Sequence, residues 1–248
     1  MALFVIFMKN PNEKNYKYSV IILIYHRTQE MVDMGMECLA SVINSCNRDE
    51  TEIILVDNGS TVRNDWSQNV DTYIRFSENK GISRGWNAGL RNARGKYINI
   101  LGDDTKVRTG WLEALQEGVD MPDAGVSNIH VQNLPVGMGI IENYKWFSGA
   151  CFMLTPKTIE KVGYFDENIF PCNTEDWDYW IRVYQAGLKL YVNYRMSVFH
   201  REGATVHAPD LGVHNGRLLR QLAKKAGFDP LPVFCGDKSL QEALQTKP

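Results

Sequence analysis

Residues 97–105 read YINILGDDT. An apolar run with the character of a buried strand stops at Gly102, and two acids, Asp103 and Asp104, follow at once. A strand that ends this way presents carboxylate oxygens at the carboxyl edge of a sheet, where open α/β sheets bind their ligands. Hard oxygen donors of this kind suit Mg²⁺ or Mn²⁺ on a diphosphate. Gly-Asp-Asp is also ordinary turn chemistry, so the weight of the motif comes from its surroundings.

Working outward, residues 18–25 (YSVIILIY) form a β-branched apolar run, the pattern of a strand covered on both faces. Residues 30–46 place Met31, Met34, Cys38, Leu39, Val42 and Ile43 at helical spacing. Residues 51–56 (TEIILV) read as a second buried strand, 71–76 as a shorter third and 97–101 as the fourth, with a helix over 82–93. Strands alternating with helices predict βαβ crossovers and a mostly parallel, Rossmann-like central sheet in an α/β domain. Downstream, the pattern predicts a helix over 110–118, a short strand over 124–128 and a Gly/Pro loop over 133–139. It then gives a strand over 146–154 with Gly149 in its middle, where a backbone or ligand can approach closely. Thr155-Pro156 opens a short helix. A helix over 175–186 is closed by Gly187 at C′. A basic helix spans 216–226 within a tail that begins near Ala208.

Composition sets bounds. With 248 residues, 44% hydrophobic and 23% charged, the chain has material for one large α/β domain. A net charge of −2 argues against coating nucleic acid or anionic membrane by charge alone. The apolar start over residues 2–8 is far short of the ~20 residues of a membrane span and has no small-residue cleavage site. Cys38, Cys46, Cys151, Cys172 and Cys235 are odd in number and scattered, so no disulfide framework or zinc site is expected and a reducing cytosol fits.

Three acidic stations follow in chain order. Asp57 ends the second strand and can accept hydrogen bonds from a nucleobase or ribose, although D-N-G-S is equally a turn. Asp103-Asp104 ends the fourth. Glu175-Asp176-x-Asp178 opens the late helix, where a carboxylate is favoured by the helix dipole alone. The aromatic surroundings of Trp177, Tyr179, Trp180 and Tyr184 can raise a carboxylate's pKa and stack on a sugar, so Glu175-Asp176 is the candidate general base. Lys80 and Arg84, beside Gly81, Gly85, Asn87 and Gly89, can neutralise phosphate, but no dinucleotide fingerprint or P-loop is present. His200 follows an apolar stretch, and a lone histidine is more often structural than a ligand.

Together these stations resemble the inverting nucleotide-sugar glycosyltransferases of family 2, which have the GT-A fold. The likeness is carried by SVIILIYHR (19–27), ILVDNGS (54–60), ENKGISRGWNAGLRNARGKYINILGDDT (78–105), WFSGACFML (146–154), GYFDENIF (163–170) and EDWDYWIR (175–182), in family order. It looks closest to the rhamnosyltransferase-like branch. The resemblance implies a single domain, with a nucleotide-sugar half over residues 17–128 and an acceptor-binding, catalytic half over 129–207. An N-terminal extension (1–16) and a C-terminal basic helix and tail (208–248) flank them. It implies donor binding by Tyr25, Arg27, Asp57, Asn58, Lys80, Arg84, Asn87, Asp103 and Gly149. Asp104, with His200 and Asp103, would hold Mn²⁺ or Mg²⁺. Asp176 would be the base with Glu175 beside it, and Trp146, Trp177 and Asp178 would meet the acceptor. Two positions depart from the family pattern: Gly102 stands where the first metal-motif acid is usual, and His26 where asparagine is commoner.

The implied activity is metal-dependent transfer, with inversion, of a hexosyl or deoxyhexosyl group from a nucleoside diphosphate sugar to an acceptor hydroxyl. The acceptor is expected to be a bacterial surface glycan or the hydroxylated bases of phage DNA. Arg217, Arg220, Lys224 and Lys225 could bring the C-terminal helix to lipid head groups or DNA from a cytoplasmic or peripheral position. A sugar nucleotidyltransferase is the first alternative, though residues 25–28 (YHRT) lack its glycine-rich loop. A noncatalytic carbohydrate- or nucleotide-binding protein is the second.

Overall fold

A computed structural model describes residues 5–8, 14–66, 68–131, 139–142, 148–201, 215–229, 232 and 242–243. The strands are β1 (Val5–Met8), β2 (Tyr18–Ile24), β3 (Thr51–Asp57), β4 (Thr72–Arg75), β5 (Tyr97–Gly102), β6 (Thr105–Lys106), β7 (Ala124–Val131), β8 (Ile140–Glu142), β9 (Cys151–Leu154) and β10 (Lys189–His200). The helices are α1 (Gln29–Ser45), α2 (Ile82–Asn92), α3 (Trp111–Val119), α4 (Pro156–Val162), α5 (Glu175–Gln185) and α6 (Asn215–Ala226).

One sheet runs in the order β1-β4-β3-β2-β5-β9-β7-β10-β6, with β8 beside β10. The pairs β2·β3, β2·β5 and β3·β4 are parallel, as the alternation of strands and helices predicts. Beyond β5 the pattern changes: β9 is antiparallel to both β5 and β7, and only β7·β10 is parallel there. The expectation of a mostly parallel sheet therefore holds for β4-β3-β2-β5, whereas β1 joins β4 antiparallel and the sheet as a whole is mixed. Parallel pairing needs a long crossover, and helices α1 and α2 lie where those crossovers occur.

The continuous apolar runs are explained by burial on both faces. Val20, Ile22 and Ile24 of β2, with Ile53 and Leu55 of β3, pack with Val32, Leu39 and Val42 of α1 and Trp111 of α3. Their alternates Ile21, Ile54 and Val56 pack with Trp86 and Leu90 of α2 and Tyr179 and Val183 of α5. Burying one such side chain contributes about 1.5–3 kcal/mol. Thr28 caps α1, its Oγ1 accepting from Met31 N–H at 3.3 Å. Thr155 likewise caps α4, ahead of Pro156 at the first turn. Gly85 and Gly89 have a local role in packing: a Cβ at either would collide with Leu23 or Ile21 of β2. These glycines let α2 lie close to the sheet.

Two features differ from the sequence-based expectation. The strand predicted over 146–154 begins only at Cys151, and Gly149 sits in the turn before it. The twelve-residue β10 was not anticipated, because its pairing with β7 shifts register between Asn193 and Ser197 and breaks the alternation. No described helix is long and apolar enough to cross a membrane. The four described cysteines are free.

Candidate active site

The carboxyl ends of β2 and β5, the turn before β9, the first turn of α5 and the end of β10 enclose a cleft of about 290 Å³. Tyr25, Asn58 and Asn79 line one part of it. Asp103, Asp104 and His200 line another, and Ser148, Gly149, Glu175, Asp176 and Trp177 a third. Two acidic stations far apart in sequence thus share one cavity. Among the described residues its wall carries four carboxylates and no lysine or arginine. A diphosphate entering such a wall meets like charge unless a cation comes with it.

The adjacent acids of the motif are each held by a different histidine. Asp103 Oδ2 lies 2.9 Å from His26 Nε2, and Asp104 Oδ1 lies 3.2 Å from His200 Nε2. Burial pushes the Asp103 carboxyl above its ordinary range, and the His26 contact opposes that shift. No group of three His, Cys, Asp or Glu side chains is gathered for a cation among the described residues. The donor set that fits is smaller: Asp104 and His200, one hard oxygen and one imidazole at the cleft wall. Diphosphate oxygens and water would complete the coordination, as is usual for Mg²⁺ and Mn²⁺ at phosphates.

At the opposite wall, α5 begins directly after Asn173 and Thr174, whose φ angles are +70° and +110°. A β-branched residue in that region is rare and costs of order 1–3 kcal/mol. The backbone is therefore held against its local preference where the acids enter the cleft. Glu175 is buried, and its Oε2 has no hydrogen-bond partner among the described residues. Burial, and next the charge of Asp176, push its carboxyl well above the normal range. Asp176 is also raised by burial, against hydrogen bonds from backbone groups including that of Gly149. A Cβ at position 149 would lie 2.8 Å from Asp176 Oδ2, so glycine is what lets the turn close onto the acid. A carboxylate with a raised pKa, partly open to a cleft, is suited to accept a proton near neutral pH.

Several predicted site residues lie elsewhere. Asp57 is buried behind the wall. Its Oδ1 accepts from Ser60 N–H at 2.7 Å, and its Oδ2 is engaged by Tyr73 at 3.0 Å and by Arg75. It shapes the turn, and its neighbour Asn58 is the residue that reaches the cleft. Lys80 is paired with Glu78, and Arg84 lies 3.4 Å from Glu167; neither lines the cleft. Asn87 clamps α2 to the Phe165 main chain through two 2.9 Å hydrogen bonds. Asp178 pairs with Arg182 at 2.8 Å and Lys225 at 2.6 Å, away from the cleft. Arg27 lies over the Tyr25 ring at 5.3 Å. Of the four aromatic residues expected around the acids, Trp177 lines the cleft, Tyr179 and Trp180 are core, and Tyr184 packs against that core. Trp146 lies outside the described residues, as do the side chains of Arg217 and Arg220.

Residues 19–133 match the glycosyl transferase family 2 model. This chain carries a family 2 glycosyl transferase domain. An uncharacterised glycosyltransferase of Rickettsia felis is 28% identical over 187 residues, covering 67% of this chain and 30% of that protein. Glycosyltransferase GlyG of Streptococcus pneumoniae is 33% identical over 151 residues, 58% of this chain and 48% of GlyG. The chain thus spans less than half the length of these curated relatives. Its fold is that of the GT-A glycosyltransferases. GalNAc-T7, crystallised with UDP, GalNAc and Mn²⁺, superposes with a TM-score of 0.62 at 17% identity, over 76% of this chain and 44% of that one. TarS of S. aureus (residues 1–349) gives 0.61 at 16% identity, over 85% and 71%.

The sequence did not single out three cleft residues as site residues: Asn79, Trp86 and Cys172. Asn79 was recoverable, since its Oδ1 accepts from Asn58 Nδ2 at 3.0 Å within the motif that follows β4. Cys172 is buried, and its thiol is pushed up to about 12 by burial and the neighbouring Glu175. It is a packing residue at neutral pH.

Proposed function

We propose that this chain transfers a sugar from a nucleoside diphosphate sugar to an acceptor hydroxyl, in one displacement that inverts the anomeric centre. The observation that carries this reading is the sharing of one 290 Å³ cleft by the Asp103-Asp104 pair and Asp176. Tyr25 and Asn58 receive the nucleobase end of the donor, with Asn58 held by Asn79. Asp104 and His200 would hold Mn²⁺ or Mg²⁺. When bound, that ion supplies charge stabilisation for the departing diphosphate. Its need follows from the acidic wall, where no described lysine or arginine is available to a diphosphate.

Asp176 takes the proton of the acceptor hydroxyl as its oxygen attacks. Burial pushes both the Glu175 and the Asp176 carboxyls up, so the pair holds less negative charge near neutral pH than two free carboxylates would. Gly149 fixes the distance between the cleft floor and the base, and Trp177 offers an aromatic face to a sugar. General-base help of this kind is worth ~10²–10⁴-fold.

The acceptor is proposed to be a bacterial glycan, since the relatives named as glycosyltransferases are bacterial. A hydroxylated DNA base is the less favoured acceptor. Lys225, expected on a free basic face, is spent on Asp166 and Asp178. The test is donor hydrolysis and transfer with a panel of nucleotide sugars, with and without MnCl₂. Metal-dependent release of nucleoside diphosphate supports an enzyme. Binding with no turnover, for every acceptor tried, points to the carbohydrate-binding alternative.

A further inference from the structure

His26 sits in the turn after β2 and is 1% exposed. Its main chain is pinned: the N–H donates to Ser60 Oγ at 2.8 Å, and the carbonyl accepts from Thr61 and Val62. The ring lies 5.7 Å from that of Trp66. On its α1 side it has room only because residue 35 is glycine; a Cβ there would stand 2.6 Å from His26 Cε1. The imidazole has no freedom to turn away from Asp103.

Its tautomer follows from its contacts. A proton on Nδ1 would leave a buried N–H with no partner and set the Nε2 lone pair against the Asp103 carboxylate. A proton on Nε2 gives a charge-assisted hydrogen bond at 2.9 Å and leaves Nδ1 as a bare acceptor, which has no partner among the described residues. A leucine would fill the same space without stranding a polar atom. The ring's distinctive contribution is therefore the bond to Asp103. That bond occupies Oδ2 and leaves Oδ1 as the available acceptor of a carboxylate that lines the cleft. Beside it, Gly102 leaves space for the second acid: a Cβ there would lie 2.8 Å from Asp104 Oδ1.

We propose that His26 is a positioning residue for donor binding: through Nε2 it orients Asp103 so that the free carboxylate oxygen accepts a hydrogen bond from a ribose hydroxyl of a nucleoside diphosphate. The ligand group follows from chemistry. Phosphate oxygens only accept, so a carboxylate meets them through a cation, whereas the ribose hydroxyls donate. This rests on the donor reading above and divides the motif's two acids between two tasks.

The test is calorimetric titration of the full chain with UDP, GDP, CDP, ADP and dTDP in MnCl₂, continued with the tightest of these. His26→Leu removes the donor while filling the space. It should weaken binding about tenfold, the loss expected for a hydrogen bond to a charged group. Asp103→Ala should lose a similar factor, and the double variant no more than Asp103→Ala alone. His26→Gln, whose amide N–H reaches the same oxygen, should stay within about threefold of wild type. The 2′,3′-dideoxy form of the same nucleotide should bind wild type and Asp103→Ala alike, a readout that holds even if His26→Leu fails to fold. Unchanged binding in a folded His26→Leu, additive losses in the double variant, or a dideoxy penalty that survives Asp103→Ala would each overturn the assignment. Failure of wild type to bind any of the five nucleotides would overturn the donor reading itself, and this inference with it.

Discussion

At the scale of single residues, the proposed roles of the acids can be told apart by substitution. Asp176→Asn is expected to lower transfer by ~10²–10⁴-fold while nucleoside diphosphate affinity changes little. Steady-state kinetics beside calorimetry measures both, and equal loss of the two would mark Asp176 as structural. Because burial raises the Asp176 carboxyl, the deprotonated base is reached only as pH climbs above the usual carboxylate range. The acid limb of kcat/KM should therefore lie displaced toward neutral pH, and a limb at the pKa of a free aspartate would contradict the assignment. Gly149→Ala puts a methyl 2.8 Å from Asp176 Oδ2. A displacement approaching 1 Å at a reacting group costs on the order of 10²-fold, so this variant should keep its fold and lose turnover.

At the scale of elements, α6 is a buttress for the acid-bearing helix. Leu222 and Ala226 bury against Ile181 of α5, with Trp177 and Tyr184 beside them. Lys225 bridges Asp166 and Asp178 at 2.7 and 2.6 Å. Leu222→Ala should cost about 2 kcal/mol, at the low end for a buried leucine because the site is near the edge of the molecule. Urea titration reads this directly, and a change below about 0.5 kcal/mol would mean that α6 is not docked. The first-half turns depend on a different bond. Arg75→Ala strands the buried Asp57 carboxylate, and breaking a buried pair from one side costs about 3–5 kcal/mol. If Asp57 served only a ligand, that loss would be absent.

At the scale of the whole molecule, the acidic cleft couples stability to pH and to ligand. The Glu175 and Asp176 carboxyls bind protons more tightly folded than unfolded. Their contribution is complete below the unfolded carboxylate pKa and is lost as pH rises through the raised values. The melting temperature should fall across that interval, and Glu175→Gln should flatten the slope, checked by thermal melts at constant ionic strength. A rise in melting temperature with pH over that range would reverse the sign and refute the burial argument. Nucleoside diphosphate with Mn²⁺ should stabilise by RT ln(1 + [L]/Kd), about 2.7 kcal/mol at a hundredfold excess over Kd. Adding a chelator should remove that stabilisation if Asp104 and His200 act through a cation.

The run YSVIILIY and its successors were legible as doubly covered strands, because alternation disappears when both faces are buried. The motif after β5 and the acids of α5 were legible as cleft residues, because carboxylates at strand ends and helix starts sit where ligands can reach them. What chain order could not convey was which side chains turn inward at those ends. Asp57 and Asn58 are adjacent, yet the first, ending β3, turns to Tyr73 and Arg75 and the second, in the turn that follows, to the cleft. Lys80, Arg84, Asn87 and Asp178 were drawn off by Glu78, Glu167, Phe165 and Lys225, partners as many as 83 residues distant. The His26–Asp103 contact joins positions 77 apart. Local pattern reports burial and turn chemistry because those depend on neighbours in sequence; the pairing of charges depends on neighbours in space, which come into being only when the sheet closes.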